Sequence, residues 1–134
     1  MSPPLKLTAQ MPDKKTALVV ETNYLVASSV EGPLLGAGFR VIVALDAEEA
    51  KTAISTHQLA VAVIDFRLQH GGPEGLVELL RAAEVPYVFC TASSTTEVVE
   101  SFPGARVVEK PFGDDILLMV VTEVVNFATT TRRL

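Results

Sequence analysis

The chain holds one cysteine, Cys90, so it has no internal disulfide, and no Cys/His cluster shows zinc-ligand spacing. That usage points to a reducing cytosol. Positive charge is also scarce. Eleven Lys and Arg stand against 16 Asp and Glu, and the formal net charge of -5 gives no favourable long-range field toward nucleic acid or an anionic membrane. Protein or metal partners are expected instead. No apolar stretch reaches the roughly 18 residues that a membrane helix needs, and the opening MSPPLKLTAQMPDKK has no continuous apolar run of signal-peptide length. Repeats and low-complexity linkers are missing too. After the first apolar run the chain reads ETNYL rather than a glycine-rich phosphate loop, and no nucleophile–base pair stands out. Both absences weigh against a nucleotide binder or small flavodoxin-like enzyme, and the chain is expected not to be an enzyme.

What is present is a core. At 134 residues and 49% hydrophobic the chain is sized for one domain that folds without covalent staples. The expected division is a mobile extension over residues 1–15, a folded unit over 16–129 and a tail over 130–134. Short, near-continuous apolar runs at Ala17 to Val20, Phe39 to Ala44, Leu59 to Ile64, Val85 to Phe89 and Ala105 to Val108 read as strands buried on both faces. Between them lie helical segments at Tyr24 to Leu35, Ala47 to His57, Glu74 to Ala83, Thr95 to Ser101 and Asp114 to Phe127. Asp46 is placed as an N-cap, and Asp114 and Asp115 open the last helix beside its positive dipole end. Pro33 inside the first helix predicts a kink or an early stop near Gly36 to Gly38. Strand and helix alternating five times predict crossover connections, a parallel sheet and helices on both faces.

The segment ILLMVVTEVVNF is rich in β-branched residues and competes as a strand, but its length and acidic start favour helix. It is apolar on more than one face. That leaves two readings, simple core burial and a homodimer formed through the uncovered face.

Three of the strand-like runs end in different chemistry: Asp65 after LAVAVI, Thr91 after VPYVFC, and Lys110-Pro111 after ARVVE. In a parallel sheet the carboxyl ends of the strands share one edge, so an acid, a hydroxyl and an ammonium converge there. Such a trio suits phosphate chemistry: the carboxylate accepts a phosphoryl group, and the other two meet its oxygens. The blander reading of Asp65 is a cap or turn residue. Cys90 reads as a buried small hydrophobe, and His57 and His70 as solvated side chains.

TALVVETNYLVASSV, VAVIDFRLQHG, VPYVFCTAS and VVEKPF, taken in this order, resemble the receiver (CheY-like) domain of bacterial two-component response regulators, across about Thr16 to Phe127. The resemblance implies a doubly wound, flavodoxin-like sheet in strand order 2-1-3-4-5. It implies that Asp65 accepts a phosphoryl group from a histidine kinase or phosphotransfer protein, with Thr91 as the switch hydroxyl and Lys110 as the phosphate-pairing lysine. A magnesium ion would be held by Glu21, Asp65 and the backbone carbonyl of Arg67. A Lys110–Pro111 bond that is often cis goes with it. Output would pass to a downstream protein by contact, with no nucleic acid and no membrane involved, as in receivers that stand alone. FCTAS loosely resembles the Phe-X-Thr motif of one such subfamily, with Ala92 and Ser93 where a small and an aromatic residue follow the threonine there.

Two positions depart from the pattern. Thr22 stands where the second metal-binding acid is usual, which weakens the expected magnesium site. Val107 stands where the aromatic switch residue is usual, and valine has no swing between buried and exposed rotamers. Both favour an alternative: a degenerate receiver that works as a phosphorylation-independent interaction module. Arg67 is left either to pair with Glu21 or Asp65, partly replacing the metal, or to face solvent. Glu21 is a metal ligand, an Arg67 partner or a solvated acid.

Overall fold

Apolar runs too continuous for a one-sided strand need cover on both faces, and the chain supplies it by returning through a helix after each strand. The computed structural model describes residues 15–67, 73–92 and 95–133. Residues 1–14, including most of the expected N-terminal extension, lie outside the described residues, as do His70 and Ser93. The order is β1 (Thr16–Val20), α1 (Tyr24–Gly36), β2 (Arg40–Ala44), α2 (Ala47–Thr56), β3 (Val61–Asp65), α3 (Glu74–Ala82), β4 (Tyr87–Thr91), α4 (Thr95–Ser101), β5 (Arg106–Glu109) and α5 (Asp114–Arg133). All strands pair in parallel, in spatial order β2-β1-β3-β4-β5. This is the doubly wound arrangement.

Alternation along the strands splits the interior into two layers. Leu18, Val20, Ala62, Ile64 and Phe89 face α2, α3 and α4, where Ala50, Leu76, Leu80 and Val98 meet them. Ala17, Val19, Val61, Val63 and Val88 face α1 and α5, against Ala27, Leu34, Leu117 and Val121. The central strands β1 and β3 are buried along nearly their whole length. The expectation of two-sided burial fails for β2 and β5, which lie at the edges of the sheet and are only partly covered. An edge strand has a neighbour on one side, so part of its surface stays wet.

Local chemistry sets the helix ends. Asn23 caps α1, its side chain accepting from the Leu25 and Val26 amides. Asp46 caps α2 through the Glu49 amide at 2.8 Å, and Glu49 returns a bond from the Leu45 amide at 2.7 Å. Pro33 is carried in the last turn of α1, which ends at Gly36. A proline there removes one hydrogen bond from a helix about to stop. The last segment is a helix, as its length and acidic start indicate, and it runs to Arg133 rather than Phe127. Its inner face is buried through Leu117, Val120, Val121 and Val124, while Ile116, Met119 and Phe127 are exposed. Among the described residues no helix is long and apolar enough to cross a membrane.

Phe89, with 0% exposure, anchors an aromatic group: its ring centroid lies 5.4 Å from Phe66, 5.5 Å from Tyr87 and 5.0 Å from Phe102. Replacing it by alanine should cost about 3–5 kcal/mol, seen as a lower urea midpoint with unchanged slope. A loss below about 1 kcal/mol would mean that the surrounding rings collapse into the gap.

Candidate functional site

Each strand of the central sheet delivers its last residue, or the next one, to the same edge. Asp65 is the final residue of β3 and Thr91 of β4, while Glu21 follows β1 and Lys110 follows β5. The ladder carries on past the strands: the Glu21 amide bonds the Ala44 carbonyl at 3.0 Å, the Phe66 amide the Cys90 carbonyl at 2.9 Å, and the Lys110 amide the Thr91 carbonyl at 2.8 Å. These bonds fix the backbone from which the polar side chains rise.

Glu21, Asp65 and Thr91 are the buried polar residues of the described chain. Lys110 joins two of them. Its Nζ donates to Glu21 Oε1 at 2.8 Å and to Asp65 Oδ1 at 3.4 Å. The second oxygen of Glu21 accepts from the Asn23 amide at 3.2 Å, and Asp65 Oδ1 also accepts from the Arg67 amide at 3.2 Å. No buried side-chain polar atom among the described residues lacks a partner. That matters because an unpaired carboxylate here would carry a large desolvation cost.

Burial alone pulls the Lys110 ammonium below its ordinary pKa, but the Glu21 hydrogen bond and the charges of Asp65 and Glu21 more than reverse this, and the net shift is upward. Cys90 lies beneath the site, and burial pushes its thiol up to about 12, Lys110 offsetting this in part and Asp65 and Glu21 adding to it. The Lys110–Pro111 peptide bond is cis.

Of the residues singled out in the sequence, Glu21, Asp65 and Lys110 are in direct contact. Thr91 is fully buried at the same edge, one residue beyond Cys90, the register partner of Asp65. The Arg67 guanidinium is exposed, and the ion pair it makes is with Glu97 on α4 rather than with Glu21 or Asp65: Nη2 lies 2.5 Å from Glu97 Oε2, and Cζ lies 5.8 Å from the Phe66 ring centroid. His57 is exposed at the end of α2, as expected of a solvated side chain. Two contributors escaped sequence reasoning. Asn23 was legible as a helix cap, and that it also holds Glu21 was not. Glu97 is separated from Arg67 by 30 residues and carries no local signal of the pairing.

Glu21 and Asp65, with a backbone carbonyl and water, make a donor set that magnesium accepts, because this ion is commonly held by one or two carboxylates plus phosphate oxygens. Among the described residues no third acidic, His or Cys side chain joins them in a metal-holding group, and half-buried Thr22 occupies the neighbouring position.

No protein-family model and no curated protein matches this sequence. Solved structures do match. A response regulator receiver domain protein (CheY-like) from Methanospirillum hungatei is 21% identical with a TM-score of 0.75, over 89% of this chain and 99% of that one. The receiver domain of a sensor histidine kinase from Pseudomonas aeruginosa, solved with a magnesium ion coordinated in its active-site cleft, is 21% identical with a TM-score of 0.75, over 85% and 99%. NtrX from Brucella abortus is 26% identical with a TM-score of 0.81 over 90% of this chain, which spans 29% of that protein. The chain therefore has the fold of response regulator receiver domains.

Two outcomes follow from the site. The Cys90 thiol should resist iodoacetamide at pH 8 in the native protein and react at once in urea; fast native labelling would show that β4 opens. Because the Lys110 pKa is raised on folding, its stabilisation is fully present below the ordinary value of 10.5 and is lost as pH rises through the higher folded value. Lys110→Met should thus melt below wild type at pH 7, by an amount that narrows above pH 10.5. A pH-independent gap would assign the loss to packing.

Proposed function

We propose that the chain is a phosphoryl-accepting receiver of a two-component system, with Asp65 as acceptor. The observation that carries this is the Lys110 ammonium bonded to both Glu21 and Asp65 at the carboxyl edge of the sheet. An Asp65 carboxylate oxygen attacks phosphorus in line. The new O–P bond forms as the bond from phosphorus to the donor's imidazole nitrogen, or to the acyl oxygen of a small acyl phosphate, breaks, and the electron pair leaves with the donor.

The chain's own part is placement and neutralisation. Lys110 shifts its hydrogen bond from Asp65 toward a phosphoryl oxygen, and the Arg67 amide holds the Asp65 carboxylate in its rotamer. Thr91 lies within the same buried edge to meet the phosphoryl group as the switch hydroxyl. Glu21 keeps the ammonium charged and aimed. Magnesium, when bound by Glu21, Asp65 and the Arg67 carbonyl, would offset the charge that gathers on the transferring phosphoryl group.

A protein donor and a protein output are the partners this reading requires. A cleft of about 420 Å³ beside the site, lined by Val26, Ser29, Lys110, Pro111 and Phe112 among others, supports docking of such a donor. Exposed Ile116 and Met119 on α5 support output contacts or a homodimer. Its single buried, unpaired cysteine supports a reducing, cytoplasmic location. It acts by contact rather than by turnover.

A second reading, a phosphorylation-independent interaction module, is favoured by Thr22, which leaves two acidic side chains at the site, and by Val107 on β5. Intact-mass spectrometry after incubation with acetyl phosphate decides between them. A phosphate-sized adduct is expected on wild type and not on Asp65→Asn, with a magnesium midpoint in the millimolar range because one carboxylate ligand is missing. The absence of any adduct from folded wild type at all magnesium concentrations would favour the second reading.

A further inference from the structure

The Arg67–Glu97 pair spans the mouth of the site, from the loop after β3 to the first turn of α4. Arg67 is rooted beside the acceptor, since its own amide bonds Asp65 Oδ1 at 3.2 Å. Glu97 belongs to a short, lightly buried helix. Helix α4 has seven residues, of which Val98 alone is buried, and a helix that short does not hold itself together in water. Among the described residues, two contacts tie it to the end of β3. Phe102, just past its end, packs edge-on against Phe66 at 6.2 Å between ring centroids, and Arg67 pairs with Glu97.

We propose that the Arg67–Glu97 pair is a latch that holds α4 to the acceptor loop, and that a phosphoryl group on Asp65 opens it by drawing the Arg67 guanidinium away. This rests on the proposed reading of Asp65 as phosphoryl acceptor. The two side chains are 53% and 45% exposed, so their attraction is largely screened by water. A phosphoryl group two residues from Arg67 offers three strong acceptor oxygens and up to two negative charges, in the geometry that a guanidinium binds through paired N–H groups. Arginine suits this exchange better than lysine would, because its planar fork matches phosphate as well as carboxylate. The competition favours the phosphoryl group, and Glu97 is left behind. Helix α4 then loosens, and with it exposed Val99. Such a route needs no aromatic residue on β5, where this chain has Val107.

The test is amide hydrogen–deuterium exchange across residues 95–102, with intact mass recorded on the same samples. In wild type, formation of the Asp65 adduct with acetyl phosphate should speed α4 exchange by about twofold to fivefold, the factor that an exposed ion pair is worth. Glu97→Gln should show that faster exchange with no phosphodonor present, and acetyl phosphate should add little more. Arg67→Glu combined with Glu97→Arg restores the pair with its charges exchanged. It should return α4 to slow exchange and hold it there after the adduct forms, because position 67 then carries no guanidinium for the phosphoryl group to draw away. Unchanged α4 exchange in fully phosphorylated wild type would overturn the proposal, as would equal exchange in Glu97→Gln and wild type without phosphodonor. A wild type that takes no adduct sinks the acceptor reading and the phosphoryl-driven step together, whereas the comparison without phosphodonor still decides whether the pair holds α4.

Discussion

A single ammonium organises the polar edge of this protein. Lys110 reaches Glu21 and Asp65 from the end of β5 at the same edge, at 2.8 and 3.4 Å, and without it two buried carboxylates would face one another across a low-dielectric gap. The backbone is arranged to make that contact. Strands β1, β3 and β5 must finish level at the same edge, and the Lys110 amide is tied to the Thr91 carbonyl so that the side chain starts from a fixed point. Secondary contacts then complete the carboxylates, with the Asn23 amide on Glu21 and the Arg67 amide on Asp65.

The same arrangement limits what the site can hold. Two carboxylates and one ammonium leave a single formal negative charge, where another acid in place of Thr22 would leave a more negative and more cation-hungry pocket. The interior beneath is apolar and closed, which keeps Cys90 a neutral packing group despite its position beside three ionisable side chains. Chemistry at this edge therefore depends on groups that reorganise a hydrogen bond or two rather than on side chains that titrate near neutrality. Lys110 stays charged through the whole physiological range, and its stabilising contribution stays with it.

Away from the edge, firmness is uneven. Helices α1 and α5 share one well-filled layer with the central strands, while α4 is brief and lightly buried. An element held by little is the one that a local change of charge can move. That gives the Arg67–Glu97 contact a significance its modest strength would not suggest: it joins the segment just past buried β3 to lightly buried α4.

Much of this was legible in the residues. Continuous runs such as LAVAVI need cover on both faces, so they announce a parallel sheet with crossover helices, and the residues that end those runs announce its functional edge. Asp46 is a cap whose bonding is local, and local rules suffice for it. The edge strands were misjudged because hydrophobicity reports what a residue tolerates, not whether the sheet continues beyond it. Arg67 had several carboxylates within imaginable reach, and only the folded position of α4 selects Glu97, 30 residues away. The sequence by itself determined the alternation of elements, the two-layered core and the chemical types delivered to one edge, because these follow from periodicity and chain order. Tertiary structure alone decided which charges meet, since an ion pair depends on separations of a few ångströms between segments whose spacing along the chain carries no such information.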